Sequence, residues 1–459
     1  MELRPIPAAL LISATAALSM AATPTTPKSA DGYWPQWRGP LHTGEAPRGN
    51  PPLEWSEDKN VRWKVEVPGR GQSSPVVWND LVFVTTAVPV GKPAPDKVAE
   101  AAPAPAPAGA PPGGRPGGGP PRAVKPEGNV EFVVQAHNRS DGKIRWRKVV
   151  KELLPHEGTH KDGSYASGSA LTDGERLYAF FGSRGLYALD LEGKLLWEKQ
   201  LGTMQTRNAF GEGSSPVLHG DTLVVNWDHE GKDFVVALDK KMGKELWRAE
   251  RDEPTSWATP IVVTPGGKPQ VIVNATNRVK SYDLATGKVL WEAGGMTTNV
   301  IPSPVSAGGM VYLTSGFRGS ALLAVRLADA QGDITGKSAI AWSYDKDTPY
   351  VPSPLLYKDG LYFLKSNSSV LTRIDVTSGK PSYTQRLEGL TNVYASPVAV
   401  AGRVYVVGRD GATTVLEAGP EVKVLATNTL EDGFDASPAL VDDEMYLRGQ
   451  KYLYRISKN

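Results

Sequence analysis

A two-residue step, a small hydroxyl side chain followed by proline, recurs along this chain at a spacing that leaves few folds open. It stands at Ser74-Pro75, Ser215-Pro216, Thr259-Pro260, Ser303-Pro304, Ser353-Pro354, Ser396-Pro397 and Ser437-Pro438, with a degenerate copy at Ser169-Ala170. From position 170 onward the intervals are 46, 44, 44, 50, 43 and 41 residues; the first, from 75 to 170, is 95 because it holds an insertion. The unit from Phe210 to Asp252 shows what each interval contains. An apolar run follows Ser215-Pro216 and turns at Gly220-Asp221. Thr222–Trp227 and Phe234–Asp239 come next, then a turn on Met242-Gly243-Lys244 and a last run carrying Trp247. Four short strands in about 44 residues is the size of one propeller blade. Eight units therefore predict an all-β, eight-bladed β-propeller of four-stranded blades.

A second marker sits late in each unit, where a Gly-Lys turn precedes an aromatic residue. It reads DGKIRW to Trp146, EGKLLW to Trp197, MGKELW to Trp247, TGKVLW to Trp291 and, more loosely, GKSAIAW to Trp342. Unit six has Tyr383 instead, and unit seven has no aromatic there. Glycine supplies the positive φ of a tight turn. A buried Trp contributes roughly 4–6 kcal/mol gross and suits the wedge between blades; these residues are read as core, not as ligand contacts. Unit eight, Ala436–Asn459, supplies only three strands. The missing fourth matches NVRWKVEVP at Asn60–Pro68, with Trp63 in the marker position. The N-terminal strand is therefore expected to complete the last blade and remove the ring's open edges.

Residues 1–22 carry Arg4, an apolar run from Ala8 to Ala22 and the small-residue step Ser19-Met20-Ala21, and read as a signal peptide. The run is short for a membrane span. Residues 23–55 read as a linker and an aromatic cap around Tyr33–Pro40 (YWPQWRGP), and 56–459 as the propeller. Within it, 88–128 is a Pro/Ala/Gly-rich insertion in blade one, expected to be disordered because it has too few apolar side chains to bury. With no cysteine in the chain, a disulfide, a thiolate metal site and a cysteine-linked lipid anchor are excluded. The expected location is periplasmic or secreted, with no transmembrane segment after signal cleavage.

The Ser-Pro starts, together with endings such as VALDKKMGKELW (Val236–Trp247) and SYDLATGKVLW (Ser281–Trp291), resemble the pyrroloquinoline-quinone (PQQ) repeat. Proteins with this repeat form the quinoprotein alcohol dehydrogenase-like propellers. The resemblance spans about residues 31–459 apart from the insertion and implies the eight-bladed ring. It implies two functional branches: PQQ-dependent dehydrogenases, and non-enzymatic scaffolds such as the propeller lipoprotein of the outer-membrane β-barrel assembly machinery. The WxQWRGP-like opening at Trp34–Pro40 is similar to that of exported PQQ-like proteins without an assigned activity. The adjacent cysteine pair of the larger dehydrogenases and the lipoprotein's anchoring cysteine are both absent. The dehydrogenases' calcium ligands have no motif match in this chain, so none is carried over.

In a four-stranded blade, the loop into the next blade and the turn between strands two and three lie on the same face. That face collects candidate ligand-binding residues at the channel mouth: Arg184, Arg207, Asn208, His229, Trp257, Arg278, Arg318, Tyr350, Arg409 and Arg448. Guanidinium groups suit carboxylates and phosphates, so a small anion is one reading, and PQQ, a tricarboxylate, has the charge for it. The other reading is that these arginines bridge blades by bonding backbone carbonyls, or are simply solvated. No catalytic or metal-binding residue is assigned. HEGTH at His156–His160 lacks the helix that a zinc H-E-x-x-H site needs, because Pro155 and Gly158 interrupt it. Asp228-His229-Glu230 are adjacent on a turn, where side chains diverge. No basic stripe with interleaved aromatics points to nucleic acid. The expected function is thus an exported, non-catalytic, monomeric binding or scaffold propeller. Its partner would be a protein or a small anionic ligand. The alternative is a dehydrogenase that oxidises an alcohol or sugar with PQQ and calcium.

Overall fold

The computed structural model of the chain describes residues 1, 30–91 and 126–458; the signal-peptide segment and most of the blade-one insertion lie outside the described residues. Those described form eight antiparallel sheets arranged as an eight-bladed propeller. Blade three has the order read from the sequence: Val217–His219 innermost, then Thr222–Trp227, Phe234–Asp239 and Glu245–Glu250 outermost. Blade eight combines Ala439–Val441, Glu444–Arg448 and Tyr452–Ser457 with Val61–Glu66 from the other end of the chain. Tyr454 faces Lys64 and Leu453 faces Val65 across that pairing. The expected closure is present.

The repeat markers acquire physical meaning in three dimensions. In every blade the outermost strand carries an irregularity just before the marker position: the register shifts at Ala237/Leu238 opposite Trp247, and at Val61/Trp63 in blade eight. A bulge bends the strand and re-aims the next side chain, here towards the neighbouring blade. Trp197 Nε1 donates to Lys240 O of blade three at 3.0 Å, and Trp247 Nε1 to Leu284 O of blade four at 2.7 Å. The turn glycine after each of these carbonyls lies flat against the indole. A Cβ at Gly243 would fall 2.8 Å from Trp197, and one at Gly287 would fall 2.6 Å from Trp247. Positive φ (67° and 72°) and lack of space thus demand the same residue.

Trp291 departs from this pattern. Between Ala321–Arg326 and Ile340–Tyr344 of blade five the chain runs out to blade four, where Gly332–Asp333 adds a fifth, parallel strand beside Val289–Ala293. Trp291 is fully buried beneath it and donates to Gln270 Oε1 instead. The loose spacing of GKSAIAW is the sequence trace of this excursion.

At the centre, the Ser-Pro step forms a closed circle. Ser74 N donates to Ser169 Oγ, Ser169 N to Ser215 Oγ, Ser215 N to Thr259 Oγ1 and Thr259 N to Ser303 Oγ. Ser303 N then donates to Ser353 Oγ, Ser353 N to Ser396 Oγ, Ser396 N to Ser437 Oγ, and Ser437 N back to Ser74 Oγ, all at 2.9–3.0 Å. Each seam between blades is therefore joined by one buried hydrogen bond on the innermost radius. The hydroxyl is the conserved element of this geometry within the chain, and proline, which has no N–H, follows where none is needed.

One end of the channel is crossed by the segment from Trp34 to Ala46. Trp34 pairs with Val77 of blade one, and Pro35 O accepts from Thr172 N of blade two. Thr43 O accepts from Leu356 N of blade six, and Gly44 O from Ala399 N of blade seven. Trp34 is fully buried beneath this crossing.

Candidate functional site

The opposite end of the channel is the face on which the sequence places its candidate residues. The connection from blade one to blade two, residues 154–168, lies across it as a strap. His156 Nε2 bonds Met204 O at 2.7 Å, and Glu157 Oε2 accepts from Thr206 N and Oγ1. His160 N donates to Phe210 O, with the imidazole edge-on to the Phe210 ring. On the far side Asp162 meets Arg409 of blade seven at 3.2 Å. HEGTH is thus an extended strap whose histidines bind protein groups separately.

The arginines have separate fates. Arg409 also pairs with Asp435 at 2.5 Å and lies over the Tyr394 ring, 4.2 Å from its centroid. Arg184 is buried, paired with Glu212 at 2.7 Å and stacked over Tyr165; Glu212 additionally accepts from Ser183 N and Oγ. Arg448 is buried without a carboxylate. It donates to Thr85 O of blade one at 2.7 Å, bridging the seam between blades eight and one, and burial lowers its pKa to about 10. Arg278 turns outward to the rim, where it meets Asp333 of the added strand and Thr335 just beyond it, each at 3.1 Å. Of the six candidate arginines, Arg207, Arg318 and Arg448 have no ion pair among the described residues, and of these three only Arg207 and Arg318 are not buried.

These two stand in one neighbourhood. Arg207 Nη1 donates to Asn299 Oδ1 at 3.4 Å, and Tyr350 bonds the same asparagine side chain. Tyr350 stacks on Phe317 at 4.7 Å, and the exposed Arg318 guanidinium sits 5.3 Å from the Phe317 centroid. Arg318 holds a positive φ of 52°, uncommon outside glycine. Asn208, also at φ 52°, is exposed beside Arg207. Trp257 is anchored, its Nε1 donating to Gly211 O and its N to Val300 O. His229 is buried and both ring nitrogens are used: Nδ1 accepts from Gln205 N and Gly231 N, and Nε2 donates to Lys232 O. The cleft lined by Arg184, Glu212, Asp228 and Trp257 encloses about 20 Å³, room for a single water.

The sequence reading passed over Arg251. It directly follows the outermost strand of blade three and pairs with Asp228 at 2.6 and 3.2 Å, with both side chains fully buried. Tyr282 Oη and Ser256 Oγ complete the cluster, at 2.6 Å each. Opposite charges at the ends of strands two and four of one blade were the available signal. Beside this cluster Glu253, 6 % exposed, accepts from Asn277 N and Arg278 N. Burial raises its pKa to about 7 despite those bonds and the Arg251 charge, with Asp228 adding to the rise. The folded state therefore holds this proton to about pH 7, whereas the unfolded chain releases it near 4.5. Stability should fall as pH rises between those values, by up to roughly 3 kcal/mol. Urea midpoints at pH 5 and pH 8 test this, and Glu253→Gln should flatten the slope; an unchanged slope in the variant would exclude Glu253 as its source.

PQQ with calcium does not fit this mouth. Of the six candidate guanidinium groups, Arg184 and Arg409 are matched by carboxylates, Arg278 is turned to the rim and Arg448 is spent on a carbonyl, which leaves Arg207 and Arg318. The cleft admits one water. Calcium takes six to eight oxygen ligands, and no group of three or more His, Asp or Glu able to hold a metal occurs among the described residues.

Residues 53–230 and 231–459 each match the sequence profile of a family described as outer membrane protein assembly factor BamB. No curated protein sequence matches the chain. Among solved structures, a quinohemoprotein alcohol dehydrogenase from Comamonas testosteroni aligns over 93% of this chain and 81% of its own, at 11% identity and TM-score 0.57. Another, ADHIIG from Pseudomonas putida HK5, covers 93% and 80% at 10% identity and the same TM-score. BamB from Moraxella catarrhalis covers 71% and 88% at 14% identity, with TM-score 0.48. At these identities the solved structures show the propeller fold alone.

Proposed function

Since the chain belongs to the family of outer membrane protein assembly factor BamB, we propose that it is an exported, non-catalytic binding propeller that docks a protein partner through the strap-covered face. The observation that carries this reading is how the mouth distributes its charge. Arg184 and Arg409 are neutralised by carboxylates within the protein, while Arg318, Phe317 and Tyr350 remain at the surface as an arginine–aromatic patch. Arginine and aromatic anchors dominate protein–protein hot spots. Fold alone does not transfer a function, so the reading rests on this patch and on the family's role in outer-membrane protein assembly. A periplasmic location follows from the same role. Among the described residues no helix is long and apolar enough to cross a membrane.

A photo-crosslinking residue placed at position 318 in the producing cell should trap one discrete partner, and the same residue at Leu246 on the outer rim should not. Phe317→Ala with Arg318→Ala should weaken capture at a nearby reporter position by roughly ten-fold or more, the loss of one hot spot. Equal adducts from both faces, or none from either, would sink the proposal.

A further inference from the structure

The end of the channel opposite the strap holds a second, larger space. Between the crossing segment and the inner strands of blades two to five lies a cavity of about 240 Å³. That is room for about eight waters, enough for one ring and an acid group. Its walls are Trp37, Trp78, Leu218, Ile261 and the rings of Pro216, Pro260 and Pro304. Its polar lining is lopsided. Asp173 is engaged by Lys240 and by the backbone N–H groups of Glu175 and Arg176, and Gln36 by Gly39 O and Arg38 N.

What remains unspent is mostly donor. Arg38 is 2 % exposed and has no carboxylate. Its Nη atoms donate to Pro397 O, Pro354 O and Thr43 O, and its Nε has no partner. The hydroxyls of Thr259 and Ser303 each accept one N–H of the central circle and donate to nothing among the described residues. The His42 ring, which also lines the cavity, has no hydrogen-bond partner there. A buried cation without a counter-charge is costly, and a half-satisfied donor set in a roomy cavity is what an anionic guest completes.

We propose that this cavity binds a small monocarboxylate with a flat apolar body, an aromatic acid of benzoate size. Its acid group would meet Arg38, His42 and the two hydroxyls, with its ring among the prolines and indoles. The absence of a protein counter-charge is also felt in the titration of the lining groups. Burial lowers Arg38 to about 9; burial and the nearby His219 lower His42 to about 4. A bound carboxylate should move His42 back upward.

Benzoate and its neutral isostere benzamide are the probes, titrated by calorimetry against the whole protein. Benzoate should bind with a Kd below about 1 mM and benzamide at least roughly ten-fold more weakly, a difference of about 1.4 kcal/mol. Leu218→Trp, which fills the cavity and leaves Arg38 and the crossing segment in place, should abolish binding at an unchanged melting temperature. Arg38→Met should abolish it too. If that variant does not fold, the benzamide comparison and Leu218→Trp decide alone. Absence of saturable benzoate binding by the wild type overturns the proposal. So does equal affinity for the two probes, or undiminished binding by Leu218→Trp.

Discussion

A chain lacking residues 57–67 should be recovered as aggregate, with no monomer peak on size exclusion and no cooperative melt. The deletion removes Val61–Glu66, and with it Trp63, 8 % exposed, and Val67, 3 % exposed. Burying Trp63 alone contributes roughly 4–6 kcal/mol gross, against a total stability of about 5–15 kcal/mol for a typical domain. The loss would also uncover Tyr454, Tyr446 and Met445 of the same core and leave Tyr452–Ser457 as an unpaired edge. Unpaired apolar edges aggregate. The point variant Trp63→Ala should retain the fold at a cost of about 3–5 kcal/mol, read from urea midpoints. A deleted chain that stayed monomeric and melted like the wild type would refute the role of this strand in closing the ring.

The next largest effect is expected inside blade three. Arg251→Met leaves Asp228 buried with only Ser256 Oγ as a side-chain donor. Removing one partner of a buried pair costs about 3–5 kcal/mol, whereas removing both is far milder. Arg251→Met should therefore lower the urea midpoint sharply, and adding Asp228→Asn should restore part of the loss, a positive coupling in a double-mutant cycle. Arg278→Met is the control, because its pair with Asp333 is half exposed and should be worth no more than about 1 kcal/mol. If the two single variants lost equal stability, the buried pair would not have the weight assigned to it.

Fold and site were legible to different degrees, for a physical reason. The blade is written in short-range signals, Ser-Pro, Gly-Lys and Trp, repeated until chance is excluded. Even the orphan strand at Trp63 could be placed, because its strand pattern and Trp marker repeat those of the other blades. Arg184, Arg409 and Arg448 were legible as positions, but their partners were not. Glu212, Asp162 and Thr85 come from aperiodic loops or neighbouring blades, and whether an arginine meets a carboxylate or a carbonyl depends on the path of a loop that no repeat dictates. Arg251 was missed because it falls at a strand end, outside the turns being compared. Trp291 kept the marker but lost the usual Gly-Lys seat, because the excursion from blade five covers it. The Ser-Pro step was read as punctuation. Its hydroxyl is in fact an acceptor for the preceding blade, a relation visible only between units.

That circle of hydroxyls also orders events in time. Seven of its bonds join blades that follow one another along the chain, and each can form as soon as the next blade exists. The eighth, from Ser437 N to Ser74 Oγ, spans 363 residues and waits for the C-terminal strands, as does the pairing of Val61 with Ile456. Contacts so distant in sequence form late and slowly. Until the last blade has emerged, the chain is an open arc with two sticky ends, and the interval before its ends meet is when it is most exposed to proteases and to other copies of itself.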